Sequence, residues 1–366
     1  MKTLKRVLCV VLSVMTFFTC LAFSSSAQNS GKQGTFSVIN ANVAGLPDFG
    51  VLNLGEYSLS TKDRAKLFGK AFNESGADIV AVQEDFAGSR YLFGEMKNYL
   101  SRTINGGGVP FGGGLNIFSK KRLYNVKRYP WRKSYGVYYE GDALAPKGIV
   151  YAVVEIADGI FVDVYDLHAD AFDTKESQDA RVDNFNQTLE AIEKNGINRP
   201  VILTGDFNVY FSLEQNGDAS ATQLKKNFIE KLNMKEAWIE LYNNGDYDSF
   251  TDYNALGIGQ WGNWDSVEKF FYCDGGGIHI EPTSFEFVVY NDENGNRLSD
   301  HNAAFAEFTY TVTDDYSSSV SSGLKKEIFN PFKSVYEGFL RIIKDLYLAF
   351  SNIDELIGIL KGASNG

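Results

Sequence analysis

Apolar and polar residues alternate along Thr35–Val43 (TFSVINANV), which predicts a strand with one buried face. Ser60–Glu74 opens on a Ser/Thr cap region and carries Leu67, Phe68, Ala71 and Phe72 at helical spacing. Asp78–Gln83 (DIVAVQ) reads as a buried strand that runs into Glu84, and Leu115–Ser119 as a strand opened by the Gly-rich stretch Gly106–Asn116. Gly148–Ile156 and Ile160–Leu167 predict a hairpin across Asp158-Gly159. Helices are expected over Ser177–Asn195 and Gln223–Leu232. Further strands are expected over Val201–Leu203, Lys269–Tyr272, Ser284–Tyr290 and Ala303–Thr311. Strands dominate with helices between them and no internal repeat. The pattern suits two mixed sheets packed face to face with helices outside, an α+β sandwich.

The two ends of the chain follow other rules. Lys2, Lys5 and Arg6 precede an apolar run from Val7 to Phe23, and Ser25-Ser26-Ala27 offers small residues for cleavage. Residues 1–27 therefore read as a secretory signal peptide, a single-pass anchor being disfavoured by the short run. Thr313–Gly323 (TDDYSSSVSSG) has the composition of a linker. Beyond it, over 324–361, apolar residues such as Phe332, Phe339, Ile342, Leu346, Phe350 and Leu356 recur every three or four positions, with Lys333, Glu337, Arg341 and Lys344 between them. This is an amphipathic helix or helical pair. It either packs on the main domain or a second copy, or lies in a membrane interface.

The 366 residues carry a net charge of -11, which becomes -14 once the three basic residues of the leader are removed. So acidic a chain has no general attraction for nucleic acid phosphate, although a metal-dependent nuclease remains open. Of three cysteines, Cys9 and Cys20 lie in the leader and Cys273 is left alone, so no disulfide framework supports the fold.

The chemistry gathers where strands end. Asp206 and Asn208 follow the strand Val201–Leu203 two residues apart, so an extended backbone points both oxygen-bearing groups one way and Phe207 into the core. Hard oxygen ligands there suit Mg²⁺ or a phosphate-bearing substrate, a solvated turn being the alternative. Asn42 and Glu84 end two other strands, and two of the three histidines stand beside acids: His168 near Asp170, and His301 after Asp300. His279 has no such neighbour and reads as structural. No serine or cysteine nucleophile with an adjacent base belongs to this set. It points to a metal site for phosphate ester cleavage with water as nucleophile.

In order and spacing, NANVAGLP (Asn40–Pro47), VAVQEDF (Val80–Phe86), DLHADAF (Asp166–Phe172), ILTGDFN (Ile202–Asn208) and LSDHNAAFAEF (Leu298–Phe308) resemble the endonuclease/exonuclease/phosphatase superfamily. Its members include deoxyribonuclease I, inositol polyphosphate phosphatases and neutral sphingomyelinases. The resemblance implies a four-layer α/β/β/α sandwich over 34–312 and dependence on Mg²⁺, other divalent cations being possible. It implies that Glu84 is the main metal ligand with Asn42 assisting, and that Asp206 and Asn208 position water and phosphate. By the same motifs His301 is the general base, His168 stabilises phosphate charge or protonates the leaving group, and Asp300 supports the metal or the histidine. One position departs from the family pattern: Glu268 stands in Val267–Tyr272 where an aspartate partner for the histidine is usual, with Asp265 as a fallback.

Asp142 and Lys147, five apart before a strand, resemble the aspartate–lysine switch of neutral sphingomyelinases and related inositol phosphosphingolipid phospholipases, where Lys147 would meet a phosphodiester oxygen; a surface turn with an incidental pair is the alternative. The expected activity is a secreted phosphodiesterase acting on a sphingomyelin-type headgroup. Membrane contact would need the C-terminal helix or Trp261 and Trp264, since Asn291–Arg297 is polar, burial of the two tryptophans being the alternative. A deoxyribonuclease using Arg122, Lys127, Arg128, Arg132 and Lys133, or an inositol phosphate phosphatase, is the alternative. No obligate protein partner is evident.

Overall fold

The computed structural model describes residues 31–47, 57–103, 112–137, 142–249, 266–327 and 331–363. The leader, residues 106–111 of the Gly-rich stretch, Trp261, Trp264 and Asp265 lie outside them. The strands are β1 (Gln33–Asn42), β2 (Ile79–Gln83), β3 (Ser101–Arg102), β4 (Asn116–Ser119), β5 (Leu123–Pro130) and β6 (Gly148–Ala157). They continue with β7 (Ile160–His168), β8 (Val201–Asp206), β9 (Lys235–Glu236), β10 (Glu268–Cys273), β11 (Ile278–Val288) and β12 (Ala303–Val312). One six-stranded sheet has the order β11-β12-β1-β2-β4-β3 and the other β5-β6-β7-β8-β10-β9.

Alternation along the strands builds the layers. In β1, Phe36 and Val38 join the core between the sheets, while Ile39 and Ala41 face a second core beneath helices α1 (Thr61–Ser75) and α2 (Ser89–Glu95). On the far side, Phe185 and Ile192 of α3 (Lys175–Asn195) cover β8 and its neighbours. The result is helix, sheet, sheet, helix. Ser60 caps α1 by accepting from Asp63 N, and Thr174 caps α3 by accepting from Ser177 N.

Some elements differ from their sequence reading. The helix expected over Gln223–Leu232 is α4 (Ala219–Leu224) followed by a π-helical turn over Lys225–Lys231, in which Leu232 N donates to Asn227 O. Strand β5 was not foreseen. It is a sheet edge carrying Lys127, Arg128 and Pro130, the polar and ring residues that edges tolerate. The stretch with linker composition also holds Tyr316 and Val320, both buried in the inter-sheet core. The Tyr316 hydroxyl donates to Gly159 O at 3.0 Å, and Arg199 Nη1 donates to Val320 O at 3.0 Å. Helices α5 (Ala237–Tyr242), α6 (Pro331–Ser351) and α7 (Ile353–Ala363) complete the order.

One glycine is required by close packing at the site end of β8. Gly205 has φ +141°, and a Cβ there would stand 2.0 Å from Leu167 O of the neighbouring strand. Gly205→Ala is expected to destabilise the fold by about 3 kcal/mol or more, read from the urea midpoint. A midpoint equal to wild type would refute this strand packing.

Candidate functional site

Strand direction explains why residues far apart in sequence meet. β1 runs parallel to β2, and β7 parallel to β8, so Asn42, Glu84, His168 and Asp206 leave carboxyl ends of strands. β6, β10 and β12 run antiparallel to those strands, so the residues at or just before their starts, Lys147, Glu268 and His301, come to the same rim. Register fixes this closely: His168 and Glu268 are both paired with Asp206.

At the centre is one oxygen of Asp206. Asn42 Nδ2 donates to Asp206 Oδ2 at 3.0 Å, His168 Nε2 stands 3.5 Å from the same oxygen and His301 Nε2 3.8 Å. Asn42 Nδ2 also donates to Glu84 Oε1 at 3.1 Å, so one amide joins the two carboxylates. Glu268 Oε1 is 2.6 Å from His301 Nδ1, and Ser266 Oγ in turn donates to Glu268. The longer side chain therefore reaches the histidine that the usual aspartate would orient. Lys147 forms a buried ion pair with Asp142 at 2.7 Å, and its ammonium donates to Ala169 O at 3.2 Å. Asn208 Nδ2 donates to that same carbonyl at 3.1 Å, which sets Asn208 beside Lys147.

Asp300 does not touch Asp206 Oδ2, but its charge reaches His301 and Glu84. It is exposed, and its carboxylate accepts from Tyr57 Oη at 3.0 Å while its N–H donates back to the same hydroxyl at 3.0 Å. His279 is elsewhere, exposed near the start of β11 and 2.7 Å from Asp274, at the opposite end of the sheet from Asn42. The basic cluster is largely engaged within the protein: Lys127 with Asn195, Arg128 with Leu115 O, Arg132 with Glu190 and Asp183.

Local backbone at the rim is unusual. Ala44, Glu84 and Asn208 take φ of +46°, +57° and +50°. Each such non-glycine residue costs on the order of 1–3 kcal/mol, the kind of strain that clusters at functional sites. At Glu84 the turn is held by Gly45 N and Phe86 N, which donate to Glu84 O at 3.0 and 2.8 Å. A Cβ on Gly45 would stand 2.4 Å from that oxygen, so the position requires glycine.

Burial and charge divide the titratable groups. Burial pushes the carboxyls of Glu84 and Asp206 up, opposed respectively by Lys147 and by His301. Burial, with repulsion from Lys147 and His301, holds His168 well below the usual imidazole range, so it is neutral near pH 7. Burial works against charge on His301 too, but Asp206, Glu268 and Asp300 outweigh it and carry the ring up to about 10. Lys147 is likewise raised, since Asp142, Glu84 and Asp206 overcome its burial.

Several supporting residues escaped the sequence reading. Beneath the rim, Gln83 Nε2 donates to Asn40 Oδ1 at 2.7 Å and to Asp166 Oδ1 at 2.6 Å, and Asn40 Nδ2 donates to Gly205 O at 2.9 Å. Asn40 lies two residues before Asn42, so strand alternation could have found it. Arg64 and Tyr57 had no such signal. Buried Arg64 donates to Leu298 O and Ala44 O, both at 2.7 Å, and its guanidinium lies 3.8 Å over the Tyr57 ring. Together they tie the loop after β1 to the loop that carries His301.

Among the described residues no three His, Cys, Asp or Glu side chains form a ready metal cage. Mg²⁺ asks for less: it takes one or two carboxylates and completes its octahedron with water and substrate phosphate. Glu84 and Asp206, joined through the Asn42 amide and both drawn from water, are hard-oxygen donors that fit this demand.

The model of the Endonuclease/Exonuclease/phosphatase family matches residues 39–273. A sphingomyelinase of Mycobacterium bovis is 27% identical over 305 residues, covering 80% of this chain and 56% of that protein. The chain thus spans about half the length of the curated relatives it matches. Staphylococcus aureus beta toxin with bound magnesium ions superposes with a TM-score of 0.50 at 18% identity, over 75% of this chain and 99% of that one. D. rerio TDP2 complexed with single strand DNA product does so with a TM-score of 0.53 at 16% identity, over 75% and 99%. These two likenesses are of fold: the same α+β sandwich of two packed mixed sheets. On the match over residues 39–273, the chain belongs to the endonuclease/exonuclease/phosphatase family.

Proposed function

We propose that the chain is a secreted, Mg²⁺-dependent phosphodiesterase that cleaves the headgroup phosphodiester of a sphingomyelin-type phospholipid. The observation that carries this reading is the convergence of two imidazoles and an amide on Asp206 Oδ2, with the Glu84 carboxylate joined through the same amide. The lipid substrate is supported by the likeness to sphingomyelinase at 27% identity. Secretion rests on the leader pattern of residues 1–27. The nucleic acid alternative loses support because Lys127, Arg128 and Arg132 are engaged by Asn195, a carbonyl and two acids.

Glu84, with Asn42 assisting, would hold the cation, and another divalent ion would suit the same donors. When bound, Mg²⁺ would supply positive charge beside the phosphoryl oxygens and would offset carboxylate charge at the site. His301 in its neutral form accepts a proton from the attacking water at Nε2, while Glu268 holds Nδ1–H and fixes the tautomer. The water oxygen bonds to phosphorus as the bond to the lipid alcohol breaks; the departing alkoxide takes a proton from solvent water, and His301 returns its proton to solvent. His168, neutral, offers hydrogen bonding without a competing charge, and Lys147 and Asn208 meet the phosphate oxygens.

Glu84→Gln and His301→Ala are each expected to reduce turnover to background with circular dichroism unchanged. Calorimetric Mg²⁺ affinity should fall in Glu84→Gln and persist in His301→Ala. Full activity in either variant removes the role given to that residue. Glu268→Gln should lower kcat by on the order of 10² with little change in KM, because it leaves His301 poorly oriented. Glu268→Asp should lose less, and equal losses in both would mean that reach to Nδ1 is not what matters. The substrate is tested by Mg²⁺-dependent release from sphingomyelin vesicles, plasmid DNA and inositol phosphates in parallel. Lipid hydrolysis is expected, and DNA cleavage without it would overturn the choice.

A further inference from the structure

Helix α6 is turned inside out relative to a helix packed on a globular domain. Phe332, Tyr336, Phe339, Ile343, Tyr347 and Phe350 follow one another at intervals of three or four residues, and all are exposed. Phe332, Tyr347 and Phe350 are 86%, 70% and 73% exposed, values that exclude burial against the sandwich. At 3.6 residues per turn these six, with Leu340 and Leu346 at their flanks, fill an arc of roughly 120° and run for about 27 Å. The charged residues Arg341 and Asp345 lie on the other side and are half-buried, together with Ile342, Leu348 and Ala349. Burial raises the Asp345 carboxyl against the pull of Arg341 and Lys344.

The make-up of the stripe selects its occupant. Five of the six residues are aromatic, whereas a seam between two copies of a helix is built from Leu, Ile and Val at two positions in seven. Phe and Tyr suit the boundary between headgroups and acyl chains, where a ring can sit in hydrocarbon with its polar end in water. Lys344 is exposed beside the stripe, in place to extend toward phosphates. Exposed Ile353 and Ile357 continue an apolar surface into α7. No described helix is long and apolar enough to cross a membrane, so the fitting geometry is a helix lying in the surface.

We infer that α6 is a lipid-surface tether, its Phe332–Phe350 stripe inserted between the headgroups of a phospholipid bilayer. The chain reaches α6 from the β5 edge, where Lys325 N donates to Asn125 Oδ1 at 2.8 Å, and not from the catalytic rim. The tether therefore concentrates the enzyme on a bilayer and leaves the chemistry unaltered. Its advantage to catalysis rests on the lipid substrate proposed above, but its binding to lipid does not.

The test compares the full chain with a Phe339→Ser, Phe350→Ser double variant. Flotation with sphingomyelin–phosphatidylcholine vesicles is measured without Mg²⁺, and hydrolysis is measured on the same vesicles and on p-nitrophenylphosphorylcholine in solution. The variant should lose vesicle binding tenfold or more and show a similar rise in apparent KM on vesicles. Its melting temperature and its rate on the soluble diester should be unchanged. Undiminished flotation overturns the tether, as does a dimer in sedimentation that the same substitutions dissolve. Loss of flotation in the variant, with no lipid hydrolysis by either protein, supports the tether and overturns the lipid substrate.

Discussion

The site depends on keeping one carboxylate between the two sheets. Asp206 is fully buried, and the groups about its Oδ2 come from two other strand ends and a loop before a third strand. A buried carboxylate without partners would take up a proton. Here Asn42 donates to it and the charge on His301 faces it, so its position and that of the histidine are fixed by the same balance. Most other features of the rim serve to hold these partners within reach.

Two layers of support do so. Below, the Asn40, Gln83 and Asp166 side chains and the Gly205 carbonyl link the sheets by hydrogen bonds where an apolar core would let them slide. Above, Arg64 fastens the loops that follow β1 and precede β12, and Ser299 Oγ donates to Asn42 O at 2.8 Å across the same junction. The strained backbone at Ala44, Glu84 and Asn208 persists because these contacts over-determine it.

Charge is distributed with equal economy. His168 and His301 are near neighbours of one oxygen, yet burial and the cations keep the first neutral while Glu268 and Asp206 charge the second. Two chemically identical side chains thus titrate in opposite directions through their surroundings alone. The Asp142–Lys147 pair shows the same economy: Asp142 holds the ammonium against Ala169 O, from where its field reaches Glu84 and Asp206.

By itself the sequence determined the strand order of polar endings, because alternation and apolar runs are local properties of the chain. Asn42, Glu84, His168, Asp206 and His301 could all be read from it, as could the exchange of aspartate for Glu268 and the amphipathic period of α6. Only the tertiary structure decided which of these groups share a point in space. Strand direction and register gave Asp206 its three partners, paired Asp300 with Tyr57 beside His301, and showed Glu268 long enough to reach His301. Arg64, edge strand β5 and the outward turn of the α6 stripe were equally hidden. Each is defined by contacts, or by exposure, across long stretches of sequence, which no local pattern encodes.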